Sequence, residues 1–204
     1  MESFIREVLV SLKNSNTSLS EITFILPSKR AGSYLLKELS SISDENIFSP
    51  TIYSIEEFTE VISKLEPIDN TISLFEFYEV YKDHTDESNR EEFETFITWA
   101  QSLIHDFNEI DRYLIDYKAF FNYLSGIQDI NHWYLKEEKT DLIKRYLAFW
   151  KNLQEYYEAL SQKLLSKNQG YQGLIYRTAV KNINTYISNI KAKHVFIGFN
   201  ALNA

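Results

Sequence analysis

The sequence predicts an α/β protein, mostly helical by content, in which a small parallel sheet is interrupted by a large all-helical insertion. Three observations carry this. The stretch Ile22 to Leu39, ITFILPSKRAGSYLLKEL, reads as a buried strand feeding straight into a helix, the opening of a βαβ unit. A second strand-to-helix step follows at Thr51-Ile52-Tyr53. From about residue 70 to 190 nearly everything has helical periodicity, before His194 to Gly198, HVFIG, returns to a β-type run with Gly198 as breaker. A strand arriving after so long a helical block has to pair with the early ones, so the helices form an insertion and the sheet is parallel. The predicted division is 1–66 with 170–204 for the α/β part and 67–169 for the helical part.

Each element has a local reason. Residues 2–13 place Phe4, Ile5, Val8, Leu9 and Leu12 at helical spacing, and the polar run that follows ends near Ser18 or Ser20, before the first strand. In the helix over 30–42, Leu35, Leu36 and Leu39 define an apolar side. Ser54 with Glu57 three positions on predicts a capping box opening SIEEFTEVISKL, and Pro67 predicts its end. Five helical stretches follow, over 73–84, 90–114, 117–126, 139–167 and 172–190, while 168–173 reads as a loop. Aromatics recur in them at steps of three and four, as in Phe93, Phe96, Ile97 and Ala100, or Tyr146, Phe149, Trp150, Leu153 and Tyr157. Stripes of that kind read as helix-packing faces, with nucleobase stacking as the alternative. Three strands are few for a sheet covered on both faces, so the chain is expected to be the N-terminal piece of something longer.

Composition bounds the chemistry. The 204 residues carry a net charge of -8, distributed unevenly: +1 over 1–43, -15 over 44–116 and +6 over 117–204. The acidic middle opposes contact with a polyanion, whereas the two ends do not. There is no cysteine, which removes disulfides, thiolate chemistry and sulfur-ligated metals. The opening residues are amphipathic rather than leader-like, and no apolar run approaches the roughly 20 residues of a membrane span, so a cytoplasmic protein with no membrane partner is expected.

The search for a reacting centre yields little. A phosphate-binding GxxxxGK[ST] loop is missing among the five glycines, and the last strand reaches Ile197 and Gly198 where a helicase-type ATPase has an acidic pair. His105, Asp106, Glu109 and Asp111 share one helical stretch, but no further ligands stand at a recognisable spacing and Arg112 is adjacent, so a solvated or salt-bridged helix face is expected there. The four histidines show no Ser-His-Asp order, and His132 beside Trp133 reads as structural. No catalytic residue, metal or cofactor is therefore assigned. The anion-binding candidates are Lys29 and Arg30, with Ser28 on the same edge, at the mouth of the first strand-to-helix turn, where the free amides and positive end of a helix favour phosphate; the alternative is a turn whose two basic residues are merely solvated.

LPSKRAGSYLLKEL resembles the TxxKAAxxMxxRL segment of superfamily 1A DNA helicases, and Thr51-Ile52-Tyr53-Ser54-Ile55 is similar to the next DNA-contact segment of that superfamily. Tyr171-Gln172-Gly173-Leu174-Ile175 resembles the segment ahead of its Walker B strand, and Val195 to Asn203 resembles that strand with both carboxylates lost. Taken together, LPSKRAG, DFNEIDRYL, GYQGLIYR and HVFIGFNALN resemble the N-terminal region of bacterial PD-(D/E)XK nuclease family proteins related to the B subunit of AddAB-type helicase-nucleases. The resemblance spans essentially the whole chain. It implies a degenerate RecA-like domain, like domain 1A of those helicases, with a 1B-like helical insertion. It implies a partner helicase-nuclease subunit and a role in processing double-strand breaks, with the nuclease near the far C-terminus of the parent protein. Neither the nuclease motif nor cluster cysteines occur here, so this stretch is not expected to be catalytic alone. The DNA contacts it implies are Lys29 and Arg30 on the backbone, Ser28 and Thr51 hydrogen-bonding phosphate, and Tyr53 stacking on a base of single-stranded or end-containing DNA. The rival reading is a non-catalytic scaffold whose acidic block, Glu56, Glu57 and Glu60 included, docks a partner helicase subunit.

Overall fold

The computed structural model describes residues 3–15, 18–42, 48–133 and 141–199, the side chains of 127–133 and 141–151 excepted. In chain order the described elements are α1 (Phe4–Asn14), β1 (Ile22–Leu26), α2 (Lys29–Ile42), β2 (Thr51–Ser54), α3 (Ile55–Ser63), β3 (Glu66–Pro67), α4 (Asn70–Asp83), α5 (Phe93–Arg112), α6 (Tyr117–Trp133), α7 (Asp141–Ser166), β4 (Gln169–Gly170), α8 (Gln172–Asn189) and β5 (Lys193–Phe196). The protein is mostly helical with a small parallel sheet, and its chain divides into two compact units, Met1–Ile62 with Lys181–Ala204, and Ser63–Val180. Among the described residues no helix is long and apolar enough to cross a membrane.

The first unit is built on the strand order β2-β1-β5, with β1 paired in parallel to both neighbours. β1 is buried along its whole length, as the central strand of a sheet covered on both faces should be. Its period-two alternation separates the faces. Ile22, Phe24 and Leu26 join Leu9 of α1 and Leu35 and Leu39 of α2 in one core. α2 can lie so close because it has Gly32 there; a Cβ would meet Ile52 Cγ2 at 3.1 Å. The opposite face, through Thr23 and Ile25 of β1, carries Phe58, which contacts Tyr186, His194 and Phe196. Leu36 does not share the buried side of α2 with Leu35 and Leu39: it is exposed, one step of about 100° away on the helix.

The second unit is a helical core in which Phe77, Phe96, Phe107 and Leu160 are fully buried, with Tyr156, Tyr157, Leu153 and Tyr171 packed among them. The Phe93, Phe96 and Ala100 stripe is thus a packing face, as is the Leu153 and Tyr157 end of the other stripe. Tyr146, Phe149 and Trp150 lie outside the described side chains, as does the His132–Trp133 pair.

Several expected boundaries are displaced. α3 stops at Ser63 because Lys64 takes a left-handed conformation at φ 62°, and Pro67, far from merely ending that helix, lies in β3. Residues 168–173 are no loop: Asn168 turns the chain at φ 54°, Gln169–Gly170 pairs in parallel with Glu66–Pro67, and α8 is under way from Gln172. α6 continues past Gly126 to Trp133. The last strand begins at Lys193 and ends at Phe196, two residues before Gly198, whose φ of 83° turns the chain away.

Candidate functional site

The site predicted from sequence sits where β1 hands over to α2. Pro27 leaves the strand, and Ser28 caps the helix, its Oγ accepting from the Ala31 N–H at 3.3 Å. Lys29 and Arg30 therefore occupy the first turn of α2 rather than a free turn, and all three side chains are exposed. No acidic residue stands in that first turn, so the positive end of the helix and both cations face the carboxyl edge of the sheet together.

The neighbouring strand-to-helix junction has the opposite sign. Ser54 and Glu57 form a reciprocal capping box: the Glu57 N–H donates to Ser54 Oγ at 3.2 Å, and the Ser54 N–H donates to Glu57 Oε2 at 2.9 Å. The other carboxylate oxygen, Oε1, accepts Lys29 Nζ at 2.9 Å. The Ser54 N–H and then Lys29 hold the Glu57 carboxyl below the usual glutamate range. The hydrogen bond and charge of Glu57 in turn raise the Lys29 ammonium above its ordinary value. Partial burial, helped by the charges of Glu57 and Glu56, raises Glu60. Lys29 is thus a shared cation, and among the described residues Arg30 makes no ion pair.

The five predicted residues do not form one cluster. Ser28, Lys29 and Arg30 are together. Tyr53 is half-buried in the last row of the second sheet face, level with Ile25 and 6.5 Å from the Phe58 ring. Thr51 lies level with Thr23, three residues and about 10 Å back from the carboxyl end of its strand, so it belongs to the opposite edge from Ser28. On α5 Glu109 is salt-bridged to Arg112 at 3.8 Å, as expected of that helix face, whereas Asp111 leaves the face and is fully buried. Among the described residues no group of three His, Asp or Glu is arranged to hold a metal ion.

Comparison with protein families, curated proteins and solved structures returns no match. The geometry therefore carries the functional reading, and it adds residues that the sequence gave no sign of. Phe196 closes the last row of the second face, on the far side of Ile25 from Tyr53. Two of the singled-out segments, DFNEIDRYL and GYQGLIYR, meet inside the second unit. Tyr171 Oη donates to Asp111 Oδ2 at 2.6 Å, while Tyr157 Oη and Arg177 Nε both donate to Oδ1. Arg177 Nη2 also reaches the carbonyls of Ile110 and Ile115 at 2.8 and 2.7 Å, where α5 ends. In return Asn108 Oδ1 accepts the Gly173 N–H in the first turn of α8 at 2.8 Å. The two helix ends thus hydrogen-bond to each other in both directions. Burial first, and Asp111 second, push both phenols up, so they stay protonated as donors.

Proposed function

We propose that this protein is a non-motor, helicase-like domain that guides or scans single-stranded DNA, within a helicase-nuclease subunit that processes double-strand breaks for recombination. Its α/β unit is read as a degenerate RecA-like domain and its helical unit as a 1B-like insertion. One observation carries the reading: two exposed cations stand in the first turn of a helix, at the carboxyl end of the central strand of a parallel sheet, with no carboxylate in that turn. Ligands of open α/β sheets gather at that edge. Helix amides, Lys29 and Arg30 form the anion contact, and Ser28, whose Oγ accepts the Ala31 N–H, keeps its hydroxyl proton to donate to phosphate.

Glu57 makes this contact adjustable, because phosphate must compete with it for Lys29. Titrating labelled single-stranded DNA at several salt concentrations tests both halves. Lys29→Ala with Arg30→Ala weakens binding and lowers the salt slope by about 1 to 2. Glu57→Gln keeps the cap acceptor, frees Lys29 and tightens binding. Unchanged affinity and slope in both variants would remove the assignment. The scaffold reading draws on a separate observation, that Glu56, Glu57 and Glu60 all lie near enough to Lys29 to act on its charge. It holds instead if the double variant leaves DNA binding intact while charge reversal of the three glutamates releases a partner subunit.

A further inference from the structure

The register of the sheet puts Tyr53, Ile25 and Phe196 in one row across β2, β1 and β5, on one face and next to the carboxyl edge. Ile25 in the middle is fully buried, yet Phe196 remains 55% exposed. Its ring is not loose. It lies 5.6 Å from Phe58 with planes at 80°, and Phe58 is itself held edge-on by Tyr186 at 5.6 Å and against Tyr53 at 6.5 Å. An edge-to-face contact covers less ring surface than stacking does, and together with the tilted Phe199 ring at 6.1 Å it orients Phe196 while leaving about half of the residue exposed. Beyond it, a Cβ added to Gly198 would lie 3.6 Å from Pro27 Cδ, so the exit of β5 runs beside the residue that precedes Ser28.

We propose that Phe196, oriented by Phe58 and continuing the row from Tyr53, is a nucleobase-stacking platform beside the Ser28–Arg30 anion contact; the assignment rests on the DNA role proposed above. The charge of the protein favours a ring for this task. At a net -8, with Glu57 already holding Lys29, attraction of phosphate is weak, and stacking supplies affinity that does not come from charge. Every base has a π face, so the platform takes single strands without regard to sequence, and it is closed to paired bases, whose faces are already stacked.

The test titrates the full chain with labelled oligothymidine and with an oligomer of the same length in which internal bases are replaced by abasic residues, each at several salt concentrations. Wild type binds the abasic strand about tenfold more weakly. Phe196→Ala binds oligothymidine about tenfold more weakly with an unchanged salt slope and no longer distinguishes the two strands, whereas Phe196→Trp keeps both affinity and discrimination. Should Phe196→Ala fail to fold, the tryptophan variant and the abasic comparison on wild type still decide. If the Lys29→Ala/Arg30→Ala protein weakens binding while Phe196→Ala and the abasic strand change nothing, the platform is overturned and the DNA role stands. If wild type binds neither strand, or no variant alters binding, both are overturned.

Discussion

Asp111 shows how much one side chain can organise. A carboxylate at 0% exposure needs its charge and both oxygens answered, and here two tyrosine hydroxyls and one guanidinium do so. Asp111→Ala should cost about 3 to 5 kcal/mol in urea unfolding, because two buried hydroxyls and a partly buried guanidinium lose their acceptor together. The adjoining Gly173 is a matter of space. A Cβ there would fall 2.1 Å from the Asn108 carbonyl oxygen and 3.0 Å from the Arg112 nitrogen, both backbone atoms that cannot rotate aside. Gly173→Ala should therefore destabilise by about 3 kcal/mol, whereas Gly126→Ala, with nothing within 4 Å, should stabilise α6 by about 0.5 to 1 kcal/mol. Equal effects of the two alanines would refute this account. None of it was legible in the sequence. An aspartate between Glu109 and Arg112 reads as surface, and its partners stand far along the chain at Tyr157, Tyr171 and Arg177. The segments were visible as motifs; that they meet each other, rather than a ligand, is tertiary information.

At the scale of elements, the capping box of α3 was fully legible, because it depends on residues three positions apart. The same is true of β1 and the first helices. What escaped are the pieces with no period to read: two-residue strands at Glu66–Pro67 and Gln169–Gly170, and non-glycine residues in left-handed conformation at Lys64, Leu114 and Asn168. Loss of the box in Ser54→Ala should cost about 1 kcal/mol. Its acid dependence has a definite sign. The folded Glu57 carboxyl lies below its ordinary value, so the charged form contributes stability that is fully present above the ordinary glutamate range and is lost as pH falls through the folded value. Glu57→Gln retains an acceptor for the Ser54 N–H but has no charge to lose. Thermal melts from pH 7 down to pH 3 should show wild type ahead of Glu57→Gln by no more than about 1 kcal/mol near neutrality, the gap closing below the ordinary glutamate range. A gap that stays constant over that span would assign the effect to packing.

At the scale of the molecule, the late return of the chain to its first sheet was legible from the β-type run after the helices, and the three-stranded parallel sheet realises it. The placement of Thr51 was not, since register between strands is set by packing rather than by either strand alone. Connectivity also orders the folding. The second unit is one continuous segment, Ser63–Val180, whose helices α4 and α5 are neighbours in sequence. The first unit is discontinuous, and its β1 pairs Ile22 with Lys193, a contact that must wait for closure of a very long loop. Local contacts repay their entropy early and distant pairings late. Pulsed hydrogen exchange during refolding should therefore protect the amides of α4 and α5 first, and the Ile197 amide, which donates to Ile25 O at 3.0 Å, last. Simultaneous protection would mean that the two units fold as one cooperative body. The expected order leaves the Phe196 rim formed only when β5 docks, so that a ligand bound there should raise protection of β5 more than that of any described helix of the second unit.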